Sequence, residues 1–190
     1  MQMTDVDRAV QVRAVPWGDP DALALRTAMT AELEPRYAAR RAATPVPPQM
    51  AVRPDELVFV GVAYLDGRAV GHVALRRVPD ASAAPRRDTA AAPDGPADLE
   101  IKRMFVDPSV RGAGIGRALL RAAEREALRA GASRVVLQTG DRQPDAVLLY
   151  ERAGYARIPI FAPYLALPYS LCFAKGLDAA AAAAHDWAAS

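Results

Sequence analysis

Between Leu99 and Thr139 an apolar strand, a glycine-rich loop, an amphipathic helix and a second apolar strand follow one another. That succession constrains the fold more than any other stretch of the chain. Leu99-Glu100-Ile101-Lys102-Arg103-Met104-Phe105-Val106 reads as a strand, a helix is predicted from about Gly114 to Ala130, and Arg134 to Thr139 reads as the next strand. Two strands joined through a helix run parallel, with a right-handed crossover. Gly131 supplies the left-handed residue that ends the helix. Upstream, Leu57 to Leu65 and Arg68 to Val78 are strands rich in valine and alanine, joined by Asp66-Gly67. That dipeptide signals a two-residue hairpin, so this pair is antiparallel. The sum is a mixed sheet with helices on both faces.

The remaining elements are shorter or less regular. Val10 to Val15 is a strand candidate, and Asp19 or Asp21 can cap a helix carrying Leu23, Leu25, Met29 and Leu33. Pro35 is expected to interrupt that helix. Residues 42–54, with four prolines, read as a loop. Residues 79–96 lack any periodicity and read as a mobile insertion. A helix is predicted from about Pro144 to Ala153, and one or two strands within 155–175. Residues 1–176 are expected to form one domain, and the alanine-rich tail at 177–190 to fray.

Composition narrows the function classes. A net charge of +2 with no basic block argues against nucleic acid. No apolar run approaches the roughly 20 residues a membrane helix needs, and Met1 to Arg8 lacks the apolar core of a signal peptide. The lone Cys172 leaves no internal disulfide and fits a reducing compartment, so a cytoplasmic location is expected. His72 and His185 stand too far apart in context to suggest a metal site.

The loop Arg111-Gly112-Ala113-Gly114-Ile115-Gly116-Arg117 opens straight onto the central helix. Glycines there let a ligand approach the backbone, and the first-turn amides with the positive dipole end favour an anion. A dinucleotide fingerprint fits poorly: its third glycine would fall one position later, and Asp107 to Val110 lengthens the turn after the strand. A P-loop fits poorly too, because no lysine follows Gly116. A glycine-rich loop without a ligand is the plain alternative.

The loop resembles the R/Q-x-x-G-x-G/A signature of the GNAT superfamily of N-acetyltransferases, and Ala146 to Tyr155 is similar to that family's A-x-x-L-Y-x-x-x-G-F/Y segment. The resemblance covers about residues 57–175, most specifically 99–155. It implies an α/β fold whose mostly antiparallel sheet splays between its parallel fourth and fifth strands. It implies acetyl-CoA as donor, without a metal, and a small-molecule or protein amine as acceptor. Neither nucleic acid nor membrane enters as a partner, and a homodimer stays open, since family members are often dimers.

By that resemblance, the pantetheine arm would bond the backbone at Met104, Phe105 and Val106. The diphosphate would rest on Arg111, Gly112, Ala113, Gly114, Ile115, Gly116 and Arg117. Gln143 stands where many members carry a pantetheine-binding asparagine. Tyr150 matches the tyrosine that protonates the departing thiolate, and a phenol is protonated at neutral pH as that role requires. Glu100 stands where several members carry the general base. As a strand residue it is expected to share a face with Lys102 and Met104, and a solvated or ion-paired glutamate is the alternative. Gln138, at another base position of the family, cannot accept a proton at neutral pH, so a water chain is a second route. Arg36, Tyr37, Phe161 and Tyr164 fall in regions that line the family's acceptor pocket, with loop packing the alternative. The expected reaction is direct acetyl transfer to a primary amine. The rivals are an acyl-CoA-binding regulatory module without turnover, and a nucleotide-binding protein.

Overall fold

The computed structural model describes residues 10–78 and 98–177. The predicted insertion at 79–96 and the tail from 178 lie outside these residues. Seven strands form one sheet in the order β1-β2-β3-β4-β5-β7-β6. They are β1 (Gln11–Ala14), β2 (Leu57–Leu65), β3 (Arg68–Arg77), β4 (Leu99–Val106), β5 (Arg134–Gly140), β6 (Ala156–Ile158) and β7 (Ser170–Gly176). The helices are α1 (Pro20–Ala43), α2 (Ile115–Arg129) and α3 (Pro144–Arg152). Only the β4–β5 pair is parallel, as the crossover through α2 demands. Asp66 and Gly67 both take positive φ, the geometry whose twist suits a two-residue hairpin.

Helices cover both faces. On one, Ile115, Leu119, Leu120, Ala123 and Ala127 of α2 pack with Val73, Leu75 and Ile101, all buried. Each fully buried leucine there contributes about 2 kcal/mol of hydrophobic stabilisation. On the other face, Ala22, Leu25 and Met29 of α1 pack with Val60, Val62 and Phe105. Asp19 caps α1 by accepting from the Asp21 and Ala22 amides at 3.0 and 3.1 Å.

The interruption expected at Pro35 does not occur: α1 runs through it to Ala43 and takes in the start of the predicted 42–54 loop. Burial holds both halves, Leu25 and Met29 before the proline and Tyr37 after it. Tertiary packing therefore outweighs the lost hydrogen bond. Short 3₁₀ turns at Pro48–Met50 and Pro54–Glu56 order the rest of the loop.

Two departures from regular pairing shape the middle of the sheet. First, β4 and β5 pair only at Leu99–Val135, Glu100–Val136 and Ile101–Leu137. Beyond Ile101 the two strands part. Second, β4 bulges against β3: Ala74 opposes Lys102 and His72 opposes Phe105, so Arg103 and Met104 face the single residue Val73. Arg103 takes φ 52°, a left-handed conformation costly for a residue with a Cβ.

The bulge reverses the alternation of β4. Glu100 and Lys102 stay on one side, but Met104 and Val106 move to the α2 side with Ile101, and Phe105 turns toward α1. The expected common face of Glu100, Lys102 and Met104 is thus corrected: the extra residue at 103 shifts the register by one.

His72 holds this bulge. Its Nδ1 lies 2.8 Å from the Arg103 carbonyl and its Nε2 3.2 Å from the Arg26 guanidinium. A neutral ring protonated on Nδ1 satisfies both, donating to the carbonyl and accepting from the arginine. Burial, aided by the charges of Arg26 and Arg103, lowers the His72 pKa to about 4. The unfolded chain takes up a proton near pH 6.5, whereas the folded one does not until about 4. Stability should therefore fall as pH drops through that window, by up to roughly 3 kcal/mol. Urea titrations at a series of pH values should show that slope, and His72→Gln should flatten it.

Candidate active site

The gap between β4 and β5 holds two cavities that meet. The first, about 700 Å³, is lined by α1, the end of β4, the glycine loop and α3. The second, about 600 Å³, is lined by α1, residues 46–51, the middle of β4, the end of β5 and Tyr169. Met29, Leu33, Met104, Gln143 and Tyr150 border both. A molecule in each cavity would meet its neighbour at Tyr150.

The glycine loop forms the outer wall of the first cavity. Asp107 starts it by accepting from the Ser109 amide at 2.9 Å, which builds a 3₁₀ turn over Pro108–Val110. Gly112 and Gly114 then take φ 86° and 80°, which only glycine adopts readily. The first α2 hydrogen bond runs from the Ala118 amide to the Gly114 carbonyl at 3.0 Å. The amides of Ile115, Gly116 and Arg117 precede it and have no helical acceptor. Gly116 answers to packing instead, since a Cβ there would lie 3.0 Å from a Leu149 methyl of α3. Arg117 is exposed beside the same cavity. Arg111 braces the loop: its Nε donates to the Val106 carbonyl at 3.1 Å, and its guanidinium pairs with Glu32 of α1 at 2.7 Å.

Tyr150 sits on α3 against Tyr155 and Phe173, and it is buried. Among the described residues its hydroxyl has one hydrogen-bonding partner, the Met104 thioether at 3.9 Å. A thioether is a weak acceptor, so this buried O–H retains most of its donor capacity. Burial raises its pKa and keeps the phenol protonated.

Glu100 is placed differently from what a direct base requires. It is fully buried and lines neither cavity. Its Oε2 accepts from Arg76 Nε at 2.8 Å, and its Oε1 accepts from the Tyr164 hydroxyl. Arg76, itself fully buried, also reaches Glu56 at 3.2 Å and the Ala51 carbonyl at 3.0 Å. The pair therefore anchors the segment that roofs the second cavity. Lys102 joins the cluster, with Nζ 2.6 Å from the Tyr164 hydroxyl and 3.6 Å from Glu100. Unlike Glu100, it opens onto the second cavity. Burial lowers its pKa, and Glu100 offsets part of that effect. Sequence spacing pointed at the carboxylate and passed over this lysine. The alternation of Glu100 and Lys102 on one strand was the available signal.

Of the four acceptor-pocket candidates, only Tyr37 lines the second cavity, where its hydroxyl accepts from the Arg142 amide at 3.0 Å. It packs over Gly140, where a Cβ would overlap that hydroxyl. Arg36 pairs with Glu32 at 2.8 Å and borders the first cavity instead. Phe161 and Tyr164 are buried against each other and line neither. That packing keeps Phe161 and Tyr164 out of the second cavity, where the expected acceptor role would place them, and Arg36 faces the other cavity. Gln138 borders the second cavity, its amide donating to Ser170 at 3.1 Å.

Cys172 is buried and its thiol is pushed up to about 11, chiefly by burial, so it supplies no ready nucleophile. Among the described residues, no cluster of three or more His, Cys, Asp or Glu could hold a metal ion.

The family model described as "Acetyltransferase (GNAT) family" matches residues 23–155. The chain belongs to this family. The GNAT match spans β4, the glycine loop and α3, the elements that enclose the two cavities. An Azospirillum brasilense protein named IAA acetyltransferase is 46% identical over 78 residues, covering 41% of this chain and 51% of that protein. The chain thus spans about half the length of that GNAT relative. Among solved structures, one from Klebsiella pneumoniae, provisionally named acyl-CoA N-acyltransferase, superposes with TM-score 0.68 at 25% identity, covering 90% of this chain and 100% of that one. The IAA acetyltransferase of Bacillus cereus gives TM-score 0.56 at 20% identity, covering 89% and 100%, and there the likeness is one of fold. Among the described residues no helix is long and apolar enough to cross a membrane.

Proposed function

We propose that the protein is an N-acetyltransferase that moves an acetyl group from acetyl-CoA directly to a primary amine. The observation that carries this reading is that two cavities share Tyr150 as a lining residue, one walled by the glycine loop and the other by Lys102. The amides of Gly112 and Gly114 to Arg117, with the Arg117 side chain, suit the diphosphate of coenzyme A. The pantetheine amides would bond the parted edge of β4 at Met104, Phe105 and Val106, with Gln143 beside them. The Val106 carbonyl already accepts from Arg111, so its contribution would be its N–H. Gly114→Val forces a β-branched residue to φ 80°. That should weaken acetyl-CoA binding at least tenfold by calorimetry and destabilise the fold by about 1–2 kcal/mol.

In the reaction, the amine nitrogen attacks the thioester carbonyl, the carbon–sulfur bond breaks, Tyr150 gives its proton to the departing sulfur, and the proton that the nitrogen sheds on becoming an amide restores the phenol. The ammonium form of the acceptor must first lose a proton. Lys102 is placed to take it at Nζ, where burial disfavours its ammonium form in the resting site and Glu100, 3.6 Å away, stabilises the ammonium that results. Glu100 acts in this reading through Lys102 and Tyr164, not on the acceptor. The test is thiol release from acetyl-CoA across a panel of primary amines. Release with at least one amine is expected. Tight acetyl-CoA binding with no release for any amine would favour a regulatory module.

A further inference from the structure

The charge lining of the second cavity bears on the acceptor, and the inference rests on the acetyltransferase reading above. Arg41 and Arg103 both border that cavity, with Lys102 between the strand backbone and Tyr164. Among the described residues, no aspartate or glutamate lines it. The Arg41 guanidinium pairs with Glu34 on its own helix. Among the described residues, Arg103 makes no ion pair, and no hydrogen bond is formed by its side chain. Guanidiniums do not lose their charge near neutral pH, so each imposes a positive potential on the chamber.

Nor is the Arg103 guanidinium indifferently placed. The bulge holds its backbone at φ 52°, fastened by the His72 bond to the same residue's carbonyl. Arg103 keeps an exposed face, and partial burial followed by the nearby charge of Arg41 lowers its pKa, so the two cations sense each other. Glu34 offsets the charge on Arg41, and an anion entering the chamber would offset the one on Arg103. The remaining described lining is uncharged, with apolar and aromatic residues such as Leu33, Met50 and Tyr169 beside neutral polar ones such as Thr30, Gln138 and Thr139.

We propose that the acceptor is a small amine that also bears a carboxylate, which Arg103 and Arg41 receive while its amine faces Tyr150. The same lining disfavours polycationic acceptors, because none of the described residues in it offers a carboxylate to a second ammonium. An Arg–carboxylate pair in a partly enclosed site is charge-assisted and can be bidentate. The preference for the acid over its uncharged amide should therefore be at least about tenfold.

Binding of reaction products tests this without requiring turnover. In the presence of coenzyme A, N-acetyl derivatives of alanine, leucine and phenylalanine are titrated by calorimetry beside the matching N-acetyl amino acid amides. At least one acid should bind tenfold or more tighter than its amide. Arg103→Gln should abolish that preference, and Arg103→Lys, which keeps the charge, should restore most of it. Equal binding of acid and amide, binding of neither, or an unchanged preference in Arg103→Gln would overturn the proposal. So would faster acetylation of spermidine than of the free amino acids. Titration of acetyl-CoA alone keeps the two readings apart. If it binds and releases thiol to uncharged amines, the acetyltransferase reading survives and the anionic acceptor does not.

Discussion

Tyr150→Phe should lower kcat by about 100-fold or more, the usual scale for removing a positioned general acid. Acetyl-CoA affinity should change little. The substitution removes one oxygen that bonds only weakly to Met104 at 3.9 Å among the described residues, so the packing against Tyr155 and Phe173 is kept. The pH profile distinguishes the role. A wild-type rate is sustained while the phenol is protonated, and burial extends that range upward. The variant should show a low rate throughout, with the loss in kcat and not in the KM for acetyl-CoA. Stopped assays of thiol release with saturating acetyl-CoA provide both numbers. Equal rates for the variant and the parent would remove Tyr150 from the chemistry.

Glu100→Ala should be the most destabilising single change, costing about 3–5 kcal/mol, because it leaves the buried Arg76 charge without its principal partner. Arg76 donates to Glu100 at 2.8 Å and is fully buried. Arg76→Met should cost a similar amount from the other side. The double substitution, Arg76→Met with Glu100→Leu, should recover most of the stability, since apolar groups of similar volume replace buried ion pairs at little cost. Its activity should not recover. Lys102 would lack the carboxylate that stabilises its ammonium, and the segment around Ala51 would lose its anchor to β3. Urea denaturation of the three variants measures the cycle, and thiol release measures the separation of stability from turnover. A double variant with parental activity would show that Glu100 serves the fold alone.

How far the sequence carried these assignments depends on how local each signal is. The crossover through α2 was readable because strand periodicity, the glycine loop and Gly131 all lie within one continuous stretch. The hairpin turn at Asp66-Gly67 was readable for the same reason. Pro35 misled, because its penalty is local whereas the burial of Leu25, Met29 and Tyr37 that overrides it is not. The bulge at Arg103 left no mark: a positive φ is usually advertised by glycine or asparagine, and here arginine adopts it with help from His72, 31 positions away. That one displaced residue moved Met104 off the Glu100 face. The isolation of Glu100 was likewise hidden, because its partners Arg76 and Tyr164 lie 24 and 64 positions away. Phe161 and Tyr164 turn inward, and no spacing rule in an irregular segment fixes that.

Backbone amide resonances offer the most direct test that the mouth of α2 holds the diphosphate of coenzyme A. Two-dimensional ¹H–¹⁵N spectra recorded during titration with coenzyme A should show Gly112, Gly114, Ile115, Gly116 and Arg117 among the largest shifts. Pantetheine, which lacks the diphosphate, should leave those amides in place while moving Met104 and Val106. Saturating coenzyme A with no movement at Gly112 to Arg117, or movement of the same size with pantetheine, would contradict the assignment.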